Sequence, residues 1–365
     1  MPDDLTLRVR GVAYGGWKSV EVTRSIESLC GAFSVSVSEK WPGQPTSRPI
    51  RPGDPVSVAI GDDVVITGHV DQVTNALSGT SHSVTVSGRD AAADLVDSAP
   101  DLPPNEWHGI TVLELARILA APFGVPVRSD VGAGRAIAKV ALNPGEKAWE
   151  LLEERCRYEG ILPVSDGQGG IVLTRAGSAR VATAIIEGRN VGQMLSGSLE
   201  LDWSDRFSHY IVKSQLQGND LFNSEAASEP EGSATDAEIK RHRPLVVIAA
   251  TGADAQHCAD RAKWEATVRA GRGARATATV NGWRAGGGQL WPVNALVALR
   301  SPTLGLDREM LISEVTYTLD EGGEITKLSL VRPDAFALLQ QPAVEEGGEG
   351  YDDFGLDGFD SVVQD

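Results

Sequence analysis

The chain has 365 residues, of which 41% are hydrophobic and 5% aromatic, and a formal net charge of −17. It is longer than one hydrophobic core usually serves, so about two to four domains are expected. The acidic balance argues against affinity built from Lys and Arg clustered on phosphates, while a protein that nucleic acid merely slides past stays open.

Met1-Pro2-Asp3-Asp4-Leu5 has neither a basic nor an apolar stretch, so no secretory signal is expected. From Leu5 the sequence alternates with period 2 in Leu5–Arg10, Phe33–Ser38 and Val56–Ile60, with breaks at Gly15-Gly16, Trp41-Pro42-Gly43 and Pro52-Gly53-Asp54. About six short antiparallel strands with one face inward predict a small barrel or sandwich over residues 1–96. Ala91–Val96 reads as a helical turn that closes it.

The period changes near Asp97. Val112, Leu115, Ala116 and Leu119 fall at helical spacing, and Thr111 with Glu114 forms a capping box. A second helix is predicted to follow Asn143-Pro144, with Pro at its first position, Trp149, Leu152 and Cys156 on one side, and Gly160 at its end. Ile161–Val164 and Ile171–Thr174 then flank a Gly-rich turn as a hairpin. Residues 97–183 therefore read as an α+β insert.

Strands resume near Ser198, and a second β-module is expected over 184–338. Residues 218–240, almost without apolar anchors, predict a long mobile loop. Leu245–Ala249 is predicted as a buried strand, and the longest apolar run, Leu245–Ala250, is only six residues, against roughly 20 for a membrane helix. Ala253–Ala270 is predicted as a helix whose small stripe, Ala255, Ala259, Ala262 and Ala266, lies close against a sheet. After Gln340 there are eight acids and no Lys or Arg, which leaves roughly −9 on the preceding residues, the difference between −17 and −8. Residues 339–365 are thus expected to be an acidic tail, disordered when alone, that either docks on a partner through Tyr351, Phe354, Leu356 and Phe359 or serves only as a solubilising segment.

Few residues point to chemistry. Gly271-Arg272-Gly273-Ala274-Arg275-Ala276 spells a dinucleotide fingerprint, but a helix precedes it and a strand follows, so its amides face away from any phosphate and it reads as a helix C-cap loop. Gly286-Gly287-Gly288 reads as a hairpin loop. The six histidines are scattered, and adjacent His257-Cys258 diverge on a helix. Cys30, Cys156 and Cys258 read as reduced thiols of a chain made in a cytoplasm. Glu153-Glu154 point different ways on a helix, unlike a glycosidase pair. The eight tryptophans, Trp107, Trp149, Trp203, Trp264, Trp283 and Trp291 among them, favour core or inter-subunit packing over sugar stacking. No catalytic, cofactor-binding or metal-ligating residue is assigned, and no hydrolysis of peptidoglycan or peptides and no tight binding of duplex DNA are expected.

One pattern occurs twice. Arg48–Ile60, Thr67–Val73 and Val84–Asp90 are matched by Leu290–Leu299, Leu311–Tyr317 and Leu328–Val331. Each set is a turn signal, a period-2 strand, a second strand and a closing strand. Two similar β-modules around a non-β insert are an assembly signature.

The runs IRPGDPVSVAIGDDVVITGHVDQV (50–73), VTVSGRDAAADLVD (84–97), GITVLELARILAAPFGVPV (109–127), GEKAWELLEERCRYEGILPVSDGQGGIVLTR (145–175) and LWPVNALVALRSPTLGLDREMLISEVTYTLDEGGEITKLSLVRPDAF (290–336) resemble the baseplate hub proteins of contractile-tailed phages of the Mu type, related to late-control-D proteins. The resemblance covers residues 5 to about 338 and extends to the N-terminal part of type VI secretion spike proteins. It implies two tail-tube-like β-barrels flanking a small α+β domain. It also implies a homotrimeric structural protein of the virion tail baseplate, assembled in the host cytoplasm, that joins the hexameric tail tube to the trimeric central spike. Tape-measure and other baseplate proteins are implied neighbours; DNA passes through the channel without specific binding, and there is no membrane segment. The family has no shared active site to carry over. Two rivals are a wall-degrading enzyme, which would need a paired carboxylate site in a separate α-rich domain, and a surface glycan-binding β-module that uses exposed Trp.

Overall fold

The computed structural model describes residues 4–38, 50–78, 82–188, 193–214, 230–249 and 255–336. The fold is mainly β. Seven strands make the first barrel: β1 (Leu5–Val9), β2 (Val12–Tyr14), β3 (Ser19–Ser25), β4 (Ala32–Ser38), β5 (Pro55–Ile60), β6 (Asp63–Leu77) and β7 (His82–Asp90). Their order is β3-β4-β7-β6-β5-β1-β2, with antiparallel neighbours throughout. Alternation does the folding: Leu5, Leu7, Val9, Val20, Val22, Val35, Val56, Val58 and Val86 all point into one core. Two glycines let β6 and β7 cross closely. A Cβ at Gly68 would lie 2.1 Å from the Arg89 carbonyl oxygen, and one at Gly88 would lie 2.1 Å from that of His69.

The next segment holds α1 (Ala93–Asp97), β8 (Glu106–Thr111), α2 (Val112–Ala120), β9 (Val127–Ser129), β10 (Ala136–Ala141), α3 (Ala148–Glu159), β11 (Leu162–Ser165) and β12 (Ile171–Thr174). The capping box forms as expected, Thr111 Oγ1 accepting from Glu114 N while Glu114 Oε2 accepts from Thr111 N. Val112, Leu115, Ala116 and Leu119 are all buried, against Leu151, Leu152 and Cys156 of α3. The helix expected from Pro144 begins later, at Ala148. Gly145 adopts φ +85°, and Glu146 closes a turn by donating to the Asn143 carbonyl and accepting from Asn143 N, so these residues cannot be helical. Gly160, in the left-handed region, ends α3. The hairpin β11–β12 also forms. Its turn leans on the first barrel: a Cβ at Gly167 would lie 2.5 Å from Val65 O, and Arg24 Nη2 donates to Ser165 O at 3.0 Å.

A second barrel closes on itself. It consists of β14 (Ile185–Glu187), β15 (Gln193–Leu201), β19 (Ala274–Asn281), β20 (Ala295–Ser301), β21 (Leu306–Asp320) and β22 (Gly323–Val331), with β13 (Ala179–Arg180) alongside β20. The pairs β14–β15, β15–β19, β19–β22, β22–β21, β21–β20 and β20–β14 complete the ring. One apolar cluster runs through both barrels, from Leu5 to Leu330.

Between β15 and β19 sits a layer in which β17 (Glu231–Thr235), β16 (His209–Lys213) and β18 (Pro244–Ile248) form a sheet under α4 (Ala255–Arg272). Three expectations change here. Part of the predicted 218–240 loop, Glu231–Thr235, is a strand; residues 218–229 and the acidic tail lie outside the described residues. Leu245–Ala249 is not buried: β18 is an edge strand covered by α4 on one face only, which leaves Val246 54% and Ile248 73% exposed. The packed face of α4 keeps Ala262 and Ala266 of the small stripe and extends beyond it. It presents Cys258, Ala262, Glu265 and Val268, while Ala255 is exposed. The close approach is real, because a Cβ at Gly232 would lie 2.0 Å from Ala259 N.

Candidate functional site

The residues with chemical potential do not converge. Among the described residues no group of three or more His, Cys, Asp or Glu side chains is placed to hold a metal ion. His209 and His242 come nearest one another, with ring centroids 6.2 Å apart, and His108 pairs with Glu106 at 2.8 Å. Burial pushes the Cys30 thiol up to about 12 and Cys156 higher still, so neither is a thiolate at neutral pH. Glu153 pairs with Arg157 on the surface of α3. The glycine fingerprint serves as a helix end, Gly273 N donating to the Arg269 carbonyl at 3.0 Å. In Gly286–Gly288, Gly288 N closes a turn on Ala285 O. Trp283 and Trp291 are buried in the core, and Trp203, 42% exposed, has the Arg206 guanidinium over its ring at 4.9 Å.

The functional geometry lies in the strands. β21 pairs along one edge with β20 as far as Leu311, and from Glu314 to Leu319 the same edge pairs with β3 of the first barrel. The change of partner happens at a bulge between Ile312 and Glu314. Six residue pairs, Glu314↔Ser25 to Leu319↔Val20, therefore weld the barrels into one sheet. Val20, Val22, Val315 and Tyr317 lie buried at this joint. Above them Thr23 and Thr316 hydroxyls meet at 3.1 Å, and Arg284–Asp63 and Arg275–Glu27 pair across the outside at 2.8 and 3.1 Å. Burial, with the Glu27 charge added, raises the carboxyl of Glu314.

The two barrels share their register as well as their topology. In the first, Val70 pairs with Gly88, a bulge follows, and Gln72 pairs with Ser87. In the second, Ile312 pairs with Leu330, a bulge follows, and Glu314 pairs with Ser329. The strands before the bulges also match. Gly53 N donates to Val70 O, and Asn294 N donates to Ile312 O; both donors have positive φ, +85° and +62°. The repeat legible in the sequence is thus a residue-by-residue structural repeat, with β3, β4, β6 and β7 equivalent to β15, β19, β21 and β22.

Comparisons with known proteins agree along the chain. Residues 4–90 match the model of the Mu phage baseplate assembly protein GpP-like N-terminal domain, 92–175 the baseplate hub protein gp44-like second domain, and 254–339 the Mu phage GpP fourth domain. The chain is 34% identical to the baseplate hub protein gp44 of Escherichia phage Mu, across 100% of this chain and 96% of that protein. The chain belongs to the Mu-type baseplate hub family. As a hub it is a structural component of the phage virion, in the tail baseplate. The 43 kDa tail protein of prophage MuSo2 from Shewanella oneidensis has the same fold, with a TM-score of 0.82 at 32% identity over 92% of the hub and 100% of that chain. A tail protein from Neisseria meningitidis MC58 superposes with a TM-score of 0.76 at 24% identity, covering 92% and 99%. Sequence reasoning found the repeat but not the joint between barrels, because alternation fixes which face is buried and leaves the partner strand open.

Proposed function

We propose that the hub works as a homotrimer whose six barrels form a ring of approximate sixfold symmetry, joining the hexameric tail tube on one side to the trimeric central spike on the other. The observation that carries this reading is the shared register of the two barrels, each with its bulge at the same place. A barrel repeated in one chain turns threefold into near-sixfold symmetry without a second gene, and closed rings cover strand edges that otherwise invite aggregation. In this reading residues 1–96 and 184–338 supply the barrels, 97–183 the insert and 339–365 a partner-binding tail. The hub does no catalysis, assembles in the host cytoplasm, and lines a channel that DNA passes without being gripped; tape-measure and other baseplate proteins are its further neighbours. No helix among the described residues is long and apolar enough to cross a membrane.

Light scattering of the full-length chain tests the ring. A species near three times 38.6 kDa, alone or with the spike protein, is the expected result. A monomer at micromolar concentration that stays monomeric with its spike would overturn it.

A further inference from the structure

Two strand segments each have one edge without a strand neighbour among the described residues, and they are equivalents of the two strands that weld the barrels inside the chain. The first is the far half of β6. Its β5 edge is occupied as far as His69, and Gly53 and Asp54 extend that pairing to Val70, but no strand pairs with this edge over Gln72–Leu77. In the other barrel the corresponding edge of β21 takes β3. The second is the far half of β15. Its edge away from β19 pairs with β14 only at Gln193 and Met194, and over Ser196–Leu201 it has no strand neighbour. The corresponding edge of β3 is the one that meets β21.

We propose that the far half of β6 in one chain takes the far half of β15 from the next chain as an antiparallel neighbour, which repeats between chains the joint that β21 and β3 make within one. The proposal rests on the trimeric reading above and gives it a specific seam. Transferring the register of the internal joint through the shared barrel register sets Gln72 opposite Asp202, Val73 opposite Leu201, Thr74 opposite Glu200, Asn75 opposite Leu199, Ala76 opposite Ser198 and Leu77 opposite Gly197.

Three observations fit this partner. Leu77 and Leu201 are 81% and 60% exposed, among the most exposed apolar side chains of the described residues, and each lies on one of these segments. They share the face of Val73 and Leu199, which already pack partly into the core, so the added strand would continue that apolar row. At the internal joint two hydroxyls meet, Thr23 and Thr316; their equivalents are Glu200 and Thr74, a hydroxyl donor opposite a carboxylate acceptor. Backbone pairing at a bare edge supplies affinity, and the row of side chains supplies register.

Cysteine cross-linking of the full-length chain tests the seam. Directly opposed residues have Cα atoms about 4.5–5.5 Å apart, within disulfide reach, whereas a pair two residues out of register does not. A76C/S198C is expected to give disulfide-linked dimers and trimers under mild oxidation, several-fold above A76C/E200C and above either single variant. N75P, which removes a ladder donor that faces this edge and not β7, is expected to lower the trimer fraction while leaving the melting of the monomer unchanged. A trimer that survives N75P and leaves A76C/S198C unlinked overturns the seam and leaves the trimeric reading standing. A cross-link within a single chain also overturns the seam. A monomer in every preparation overturns the trimeric reading itself.

Discussion

The main-chain amide of Ile26 donates to the carbonyl of Ser313 at 2.9 Å, at the point where β21 leaves its own barrel and begins to pair with the other. The bulge at Ser313 turns one long strand into a shared wall, so the barrels cannot move apart without breaking a continuous hydrogen-bonded ladder. For the proposed ring this matters mechanically: two barrels that each supplied part of it would have to keep a fixed angle to one another.

Tyr317 carries a buried polar group of that wall. Its hydroxyl donates to Trp291 O at 2.6 Å, and burial pushes it up to about 12. Y317F leaves the Trp291 carbonyl unsatisfied and is expected to cost about 1–3 kcal/mol near neutral pH. The unfolded chain ionises near pH 10 and the folded chain near 12, so the tyrosine's contribution is complete below pH 10 and is lost as pH rises toward 12. The gap between wild type and Y317F in chemical denaturation should therefore narrow by about 2–3 kcal/mol over that range. A gap that stays constant with pH would contradict this account.

Gly167 docks the insert on the first barrel. Its φ is +76°, and a Cβ there would meet the Val65 carbonyl oxygen. G167A is expected to cost at least about 1–3 kcal/mol through backbone strain alone, and to make the β11–β12 turn a site of limited proteolysis. Gly287 has nothing within 4 Å of a built Cβ, so G287A should stay within about 0.5 kcal/mol of wild type. Equal melting temperatures for the two variants would refute the docking role.

What the sequence disclosed and what it hid divide along a physical line. Alternation exposed the strands of both barrels, and the capping box and Gly160 bounded helices, because these signals act between near neighbours. The pairing of Val22 with Tyr317 joins residues far apart in the chain and leaves no local trace. The sheet of β8 and β10 was missed because both strands are largely exposed and do not alternate cleanly. The layer under α4 was missed for another reason: Glu265, held between Arg261 and Arg269, occupies its buried face and disguises it as polar. Gly232 was the available clue, a glycine in a polar run that makes sense only where a helix backbone comes close. No candidate catalytic cluster was assigned, and the functional geometry proved to be backbone pairing, which residue types do not encode.

That layer also holds a buried ion pair. Arg206 donates to both oxygens of Asp236 at 2.9 and 3.0 Å, and to Glu238 at 2.6 Å, with the Arg206 and Asp236 side chains only 5% and 7% exposed. R206M strands the Asp236 charge and is expected to cost about 3–5 kcal/mol, whereas R206M/D236L should recover part of the loss. Hydrogen exchange should show the damage in β16–β18 first, since α4 and these strands share a small core of their own. Wild-type exchange rates in R206M would rule the pair out as a support of this layer.

Two kinds of contact hold the barrels together, and their sizes predict which matters. Arg284–Asp63 is one of the ion pairs across the joint, but Asp63 is about half exposed. Exposed pairs contribute about 0–1 kcal/mol, so D63A should barely move the unfolding midpoint. Val22 is fully buried opposite Tyr317 and shares its strand with Val20, which faces Leu319. V22A removes two methyl-sized groups at about 0.8 kcal/mol each and leaves a cavity, for a total of about 2–3 kcal/mol. Since both barrels share one apolar cluster, the loss should appear as a single cooperative transition at lower denaturant, with no separate melting of one barrel. If D63A proves the more damaging substitution, or V22A splits the transition in two, then the joint is electrostatic or the barrels fold independently, and the shared-wall account fails.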